Sequence, residues 1–296
     1  MFSPEGPTLR ELAVQALSSV QHGYDLLAPK FDRTPFRTPD PVLEAVAAAL
    51  ERIGPFEDGL DLCCGTGAGL GVLARVCRST VTGVDFSAGM LAVAREHAWN
   101  AVEHAPDARE HALDAREHAP DARGHAAGQA PGEGRPTAAW VRGDARALPF
   151  TAAFDLVVTF GALGHFLPRE LPALFGQVHS VLRPGGVFAF PVLAPPGPRS
   201  RAFWTLLGFD AVMRVRNALW RPPFVMYYRA FRFGDVRREL ERAGFHVEHH
   251  ALPEFGRRDD GSPRARVIVA RGLPRATAPG RPGAAAPSPL SPRPAP

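Results

Sequence analysis

The chain has 296 residues, 45% of them hydrophobic and 22% charged, an ordinary globular composition that excludes fibrous and wholly disordered classes. Its formal net charge of +4 reflects a slight excess of arginine, without a Lys/Arg-rich arm of the kind that grips nucleic acid. Three cysteines, Cys63, Cys64 and Cys77, offer neither a disulfide framework nor metal-ligand spacing, so neither a disulfide-built scaffold nor a cysteine metal centre is expected.

The first residues, Met1 to Pro7, lack the basic start and apolar run of a secretory leader. Apolar runs elsewhere are strand-sized and too short for a membrane span, so a cytoplasmic location is the expectation. Residues 8–35 read as an amphipathic helix on Leu9, Leu12, Ala16 and Val20, leading into Tyr24-Asp25-Leu26-Leu27-Ala28-Pro29 and forming an N-terminal lid over 1–35. A second helix starts with Asp40 as N-cap and Pro41 at its first position. Val42, Leu43, Val46, Ala47 and Leu50 follow at helical spacing, and Gly54-Pro55 ends it.

From there strands and helices alternate. Leu60 to Cys63 is a strand, Leu70 to Val76 a helix, Thr80 to Val84 a strand, and Ser87 caps a helix through Met90, Leu91 and Ala94. Ala139 to Val141 and Phe154 to Phe160 are strands, Leu171 to Leu182 a helix, and Val187 to Val192 the next strand after Arg183-Pro184-Gly185-Gly186. Asp235 to Ala243 is a helix, followed by strands over Phe245 to Leu252 and Ala265 to Ala270 with a short turn-rich connection. Helices between short apolar strands imply crossovers and a mostly parallel sheet covered on both faces. The short last connection makes the final pair antiparallel. The expected architecture is a doubly wound α/β domain over 36–272, a seven-stranded sheet with an antiparallel edge hairpin.

Three stretches stand apart. Between the second helix of the alternation and the third strand, Glu103 to Arg123 is a seven-residue repeat in tandem, inside an insert of about 100–137. His97, His104, His111, His118 and His125 recur every seven residues, which would suit a metal tract, but the scarcity of apolar residues favours a solvated loop. Residues 197–232 interleave Phe203, Trp204, Phe209, Trp220, Phe224, Tyr227, Tyr228 and Phe231 with Arg199, Arg201, Arg214, Arg216, Arg221 and Arg229. That mixture fits either a lid with an aromatic wall and cations for an acidic or conjugated small molecule, or a helical cover whose aromatics fill core. Residues 273–296, rich in Pro, Ala and Arg, read as a disordered tail.

The chemistry gathers at Asp61-Leu62-Cys63-Cys64-Gly65-Thr66-Gly67-Ala68-Gly69, a strand end running into a helix start. Glycines there permit a tight turn and let a ligand lie against bare peptide beside unpaired helix N–H groups. The dinucleotide pattern G-x-G-x-x-G/A does not fit, because Leu70 or Val72 falls at its third position; glycine recurs at every second residue instead. Asp85 ends the next strand, placed for a carboxylate that accepts from two ribose hydroxyls.

These segments resemble class I S-adenosylmethionine-dependent methyltransferases from about Tyr24 to Arg271, the repeat excepted. Asp61 to Gly67 is similar to that family's first motif, Val81-Thr82-Gly83-Val84-Asp85-Phe86-Ser87 to its second, and Gly143 to Phe150 to the segment after strand three. Phe154 to Phe160 is similar to strand four, and Leu182-Arg183-Pro184-Gly185-Gly186 to the turn before strand five. One departure is Cys63, where the family usually has its first glycine. The resemblance implies Gly65 and Gly67 under the methionine part of S-adenosylmethionine, Asp85 on the ribose, and Phe86 on the adenine. It implies Asp144 at the adenine amino group with Ala145 along the ring, Thr159 or Phe160 closing the methionine side, and Tyr24 from the lid at the cofactor carboxylate.

Methyl transfer asks the protein to align the acceptor in line and exclude water; a general base is needed only if the acceptor must lose a proton. His165, just past the carboxyl end of strand four, is the candidate base, although a loop histidine more often lines the cofactor pocket or caps a helix. No metal is expected. The reading favours a small-molecule acceptor methylated at O, N or C. Methylation of RNA or protein, and a non-catalytic nucleoside-binding or NAD-type protein of the same fold, remain as alternatives, with a nucleic-acid partner the weaker because no RNA-binding module is visible.

Overall fold

In the computed structural model, the described residues are 8, 20–34, 36–104, 136–194 and 231–274, with scattered positions between 197 and 219; for 98–104 the description is of backbone alone. The helix expected on Leu9, Leu12 and Ala16, nearly all of the heptapeptide repeat, most of 197–232 and the tail beyond 274 lie outside the described residues.

Seven strands form one sheet, in the order β3-β2-β1-β4-β5-β7-β6. They are β1 (Phe56–Leu62), β2 (Cys77–Asp85), β3 (Thr137–Arg142), β4 (Phe154–Val158), β5 (Leu182–Leu193), β6 (Phe245–Ala251) and β7 (Ala265–Gly272). β1 to β5 pair in parallel, and β7 enters antiparallel between β5 and the edge strand β6. The expected edge hairpin is therefore present, with its second strand inserted inward. Helices α1 (Val20–Leu27), α2 (Asp40–Glu51), α3 (Ala68–Val76), α4 (Ala88–His104), α5 (Leu171–Val181) and α6 (Phe233–Arg242) complete the described domain.

Side-chain alternation assigns the two faces. On β4 and β5, Leu156, Val158, Val187 and Ala189 point to the layer holding Val46, Leu50 and Leu73 from α2 and α3. Val157, Phe188 and Phe190 point to Leu174, Val178 and Leu240 from α5 and α6. These strands are buried on both sides, which is why they read as near-continuous apolar runs.

Local departures from the sequence expectation have clear causes. The N-terminal helix stops at Leu27, and a 3₁₀ turn over Ala28–Arg33 follows, because Pro29 sits at its start and suits a tighter, shorter turn. Asp40 does not cap α2. Pro39 occupies the cap position, and Asp40 pairs with Arg37 at 2.7 Å. Ser87 does cap its helix, its Oγ accepting from Met90 N at 3.0 Å. The Arg183-Pro184-Gly185-Gly186 turn interrupts the start of β5 rather than preceding it. Gly185 takes φ 78°, and the register with β4 jumps between Phe154–Leu182 and Leu156–Val187. At the opposite end of the strands from the glycine turn, Arg183 joins Asp58 and Asp155 at 2.8 Å each, so Asp155 is a structural acid.

Candidate active site

The parallel strands β1, β2 and β4 end at one edge, and at that edge the chain makes three left-handed turns of backbone in quick succession. Cys63 (φ 57°), Gly65 (φ 53°) and Gly67 (φ 93°) alternate with ordinary residues, which explains why glycine stands at 65 and 67. Cys63 is thus a side-chain residue in a conformation that costs L-residues energy. A Cβ on Gly65 would meet nothing within 4 Å, so this bare peptide borders open space. One on Gly69 would run into the Asp61 carboxylate and stand 2.7 Å from Phe160 Cδ2, so this turn tolerates no side chain there.

Two carboxylates lie beneath the turn. Asp85 is buried and accepts from Gly65 N on one oxygen and Ser87 N on the other, both at 2.9 Å. Burial raises its pKa against the pull of those backbone donors. Asp61 is 1% exposed, and neither of its oxygens has a hydrogen-bond partner among the described residues. Burial, reinforced by the charge of Asp85, pushes its pKa well above the usual carboxylate range. Asp61 opens the glycine motif in the sequence but carries no expected role there; the signal for one is an acid between Leu60 and Leu62 at the buried end of its strand.

The N-terminal segment straps this loop cluster. Asp32 accepts from Thr66 Oγ1 in the glycine turn at 2.6 Å. Asp25 accepts from Ser87 Oγ at 2.6 Å and Gly89 N at 2.8 Å in the loop after β2. A Cβ on Gly89 would come within 2.8 Å of Asp25 Cα, so glycine is what lets the strap approach. Tyr24, between these anchors and the sheet edge, stands edge-on to Phe86 and to His165, with ring centroids 6.0 Å away in both cases. Its hydroxyl lies 3.2 Å from His165 Nε2. His165 ends a 3₁₀ turn, Ala162–His165, that begins behind Gly161 at φ 74°.

The remaining expected residues fall around the same edge. Phe86 is half-buried and Ala145 buried. Thr159 turns its hydroxyl inward to Leu62 O at 2.7 Å, which leaves Phe160 as the half-buried side chain over Gly69. Asp144 is half-exposed and gripped by Arg146, with a 2.7 Å contact to Nη2. That guanidinium holds the Asp144 carboxyl below its usual value. Among the described residues no group of three metal-ligating side chains gathers, and no helix is long and apolar enough to cross a membrane.

Residues 35–250 match a family model described as a methyltransferase domain, which is most of the chain. The chain belongs to the methyltransferase-domain family. A methyltransferase of Synechocystis sp. (strain PCC 6803) is 33% identical over 170 residues, a match that spans 57% of this chain and 61% of that relative. An O-methyltransferase family protein from Burkholderia thailandensis superposes with a TM-score of 0.55 at 13% identity, over 90% of this chain and 67% of its own. The magnesium protoporphyrin IX methyltransferase of Synechocystis PCC 6803, solved with bound SAH, gives 0.48 at 18% identity, over 78% and 81% of the two chains. At 13% identity the likeness to the Burkholderia protein is one of fold.

Proposed function

We propose that this protein is a methyltransferase that uses S-adenosylmethionine to methylate a small-molecule acceptor at the carboxyl edge of β1, β2 and β4. The observation that carries the reading is the pair of buried acids under a bare-peptide turn. Asp61 has two buried oxygens with no partner among the described residues, a costly arrangement unless a cation completes it. The ammonium of the methionine moiety is such a cation. Asp85 keeps acceptor capacity on both oxygens after its two backbone bonds, as the two hydroxyls of a ribose require. Gly65 leaves room for the methionine chain, with Phe160 beside it, while Gly67 lets the turn close on Ala94 beneath that chain. Phe86 and Ala145 would flank the adenine, Asp144 would meet its amino group, and Tyr24 would lie over the donor from the strap.

When bound, the donor supplies an electrophilic methyl and its own leaving group, so the protein's work is to orient the acceptor and dispose of its proton. His165 is the base we assign to that task. If its Nε2 carries a proton toward the Tyr24 oxygen, Nδ1 is the ring atom that takes the acceptor's proton, and Tyr24 fixes the tautomer. The strap, tied through Asp25 and Asp32 to both loops, excludes water while this happens.

The test is methyl transfer to a panel of phenols, hydroquinones and amines, compared with His165→Gln. A general-base role predicts a loss of about 10²–10⁴ in kcat, with S-adenosylhomocysteine affinity held within about threefold. Full activity of the variant on every accepted substrate would remove His165 from the chemistry.

A further inference from the structure

Asp144 and His165 stand on different loops, and one side chain reaches toward both. Arg146 folds back on Asp144 within a tight turn that Ala147 N closes on Asp144 O at 2.9 Å. Its backbone N–H and its Nε donate to Asp144 Oδ1 at 2.9 and 3.0 Å, while Nε and Nη2 reach Oδ2 at 3.1 and 2.7 Å. These contacts occupy the lone pairs on both oxygens of that carboxylate. The third guanidinium nitrogen, Nη1, lies 3.6 Å from Glu170 Oε1, an ion pair still outside hydrogen-bond distance. Glu170 in turn accepts from Leu167 N with Oε2 at 2.7 Å, which fixes the backbone just past His165.

If Asp144 meets the adenine amino group, as the function proposed above has it, the two demands on its carboxylate conflict. The amino group needs a lone pair that the guanidinium holds, so Nε or Nη2 must yield. A second acid is within reach of the displaced guanidinium, and closing the gap to Glu170 gives its N–H groups a charged acceptor. The Arg146 and Asp144 side chains are 56% and 46% exposed, so the exchange breaks no packed core. We infer that Arg146 is a positioning residue that changes partner when S-adenosylmethionine binds, from Asp144 to Glu170, and so tightens the turn that follows His165. Arg146 thereby ties the loop at the adenine to the loop of the proposed base before an acceptor arrives.

Calorimetry with S-adenosylhomocysteine and amide hydrogen exchange over 165–170, both on the full chain, test this. In the wild type the ligand should slow exchange there by at least about threefold. Arg146→Met removes the competitor for Asp144, whose pair is the stronger one in the ligand-free protein. Affinity should therefore rise by about three- to tenfold, while the ligand-induced slowing disappears. Glu170→Gln keeps an acceptor for Leu167 N but removes the charge that Arg146 moves to, and should weaken binding by about two- to fivefold. Opposite signs at the two ends of one ion chain are not what simple loss of structure produces. Weaker binding in Arg146→Met, or slowing that survives it, would overturn the partner exchange and leave the S-adenosylmethionine site standing. Unchanged affinity in Asp144→Asn would remove the adenine contact and the exchange with it. A wild type that binds no S-adenosylhomocysteine would reject the site itself, and the exchange along with it.

Discussion

Replacing Asp61 with asparagine should change ligand affinity and stability in opposite directions. The substitution keeps the shape of a side chain that is 1% exposed and removes its ionisation. In the ligand-free protein the acid titrates at a raised value, because burial and the neighbouring Asp85 charge disfavour the carboxylate. Between the unfolded value, about 4, and that raised value, the folded state holds a proton that the unfolded chain has released. Wild-type stability therefore falls with rising pH across that window, by at most about 1.4 kcal/mol per pH unit, and levels off above the folded value. The replacement amide does not titrate, so the stability of Asp61→Asn relative to wild type should climb as pH rises from about 4. Binding should go the other way. Loss of a charge-assisted bond to the ligand ammonium, about 1.5–3 kcal/mol, predicts S-adenosylhomocysteine bound roughly ten- to a hundred-fold more weakly. Urea midpoints between about pH 4.5 and 7.5, with calorimetric titration at neutral pH, measure both effects. Wild-type affinity in the variant, with parallel pH curves for the two proteins, would refute the reasoning.

Cys63 sits at φ 57°, so Cys63→Gly should relieve about 1–2 kcal/mol of left-handed strain, less about 0.5–1 kcal/mol of backbone entropy, and come out neutral to slightly stabilising in urea denaturation. Cys63→Val, β-branched at the same backbone, should lose about 2 kcal/mol in that experiment. Gly69→Ala drives a methyl toward Asp61 and Phe160, and should cost about 1–3 kcal/mol while abolishing S-adenosylhomocysteine binding by calorimetry. Arg183→Met leaves Asp58 and Asp155 without their shared cation and should cost about 1 kcal/mol at neutral pH, modest because the guanidinium is partly exposed. Burial opposes the lowering of the Asp58 pKa, but hydrogen bonds from Thr80 and Arg183 outweigh it. That stabilisation is present above the unfolded value near 4 and is lost as pH falls through the lowered folded value, so the two proteins should converge in acid.

The fold was legible because its signals are local. β4 and β5 are apolar on both faces, Ser87 and the glycines mark helix starts and turns, and the short β6–β7 connection permits only an antiparallel pair. Asp85, Gly65 and Gly67 were legible for the same reason, since turn chemistry and a strand end lie within a few residues of each other. Relations between distant segments were not. Nothing near Asp25 or Asp32 in sequence announces that they bind Ser87 and Thr66, more than thirty residues on in each case. The meeting of Tyr24 with His165, at a separation of 141 residues, is of the same kind. Asp61 was visible as a letter of a motif, but its lack of a partner among the described residues is a property of the packed core alone.

Thermal melting with S-adenosylhomocysteine, on wild type and Asp85→Ala, reaches the central claim most directly. The melting temperature should rise with ligand concentration in the wild type, rise much less in the variant, and not respond to NAD. A wild type indifferent to S-adenosylhomocysteine, or one stabilised by NAD in its place, would contradict it.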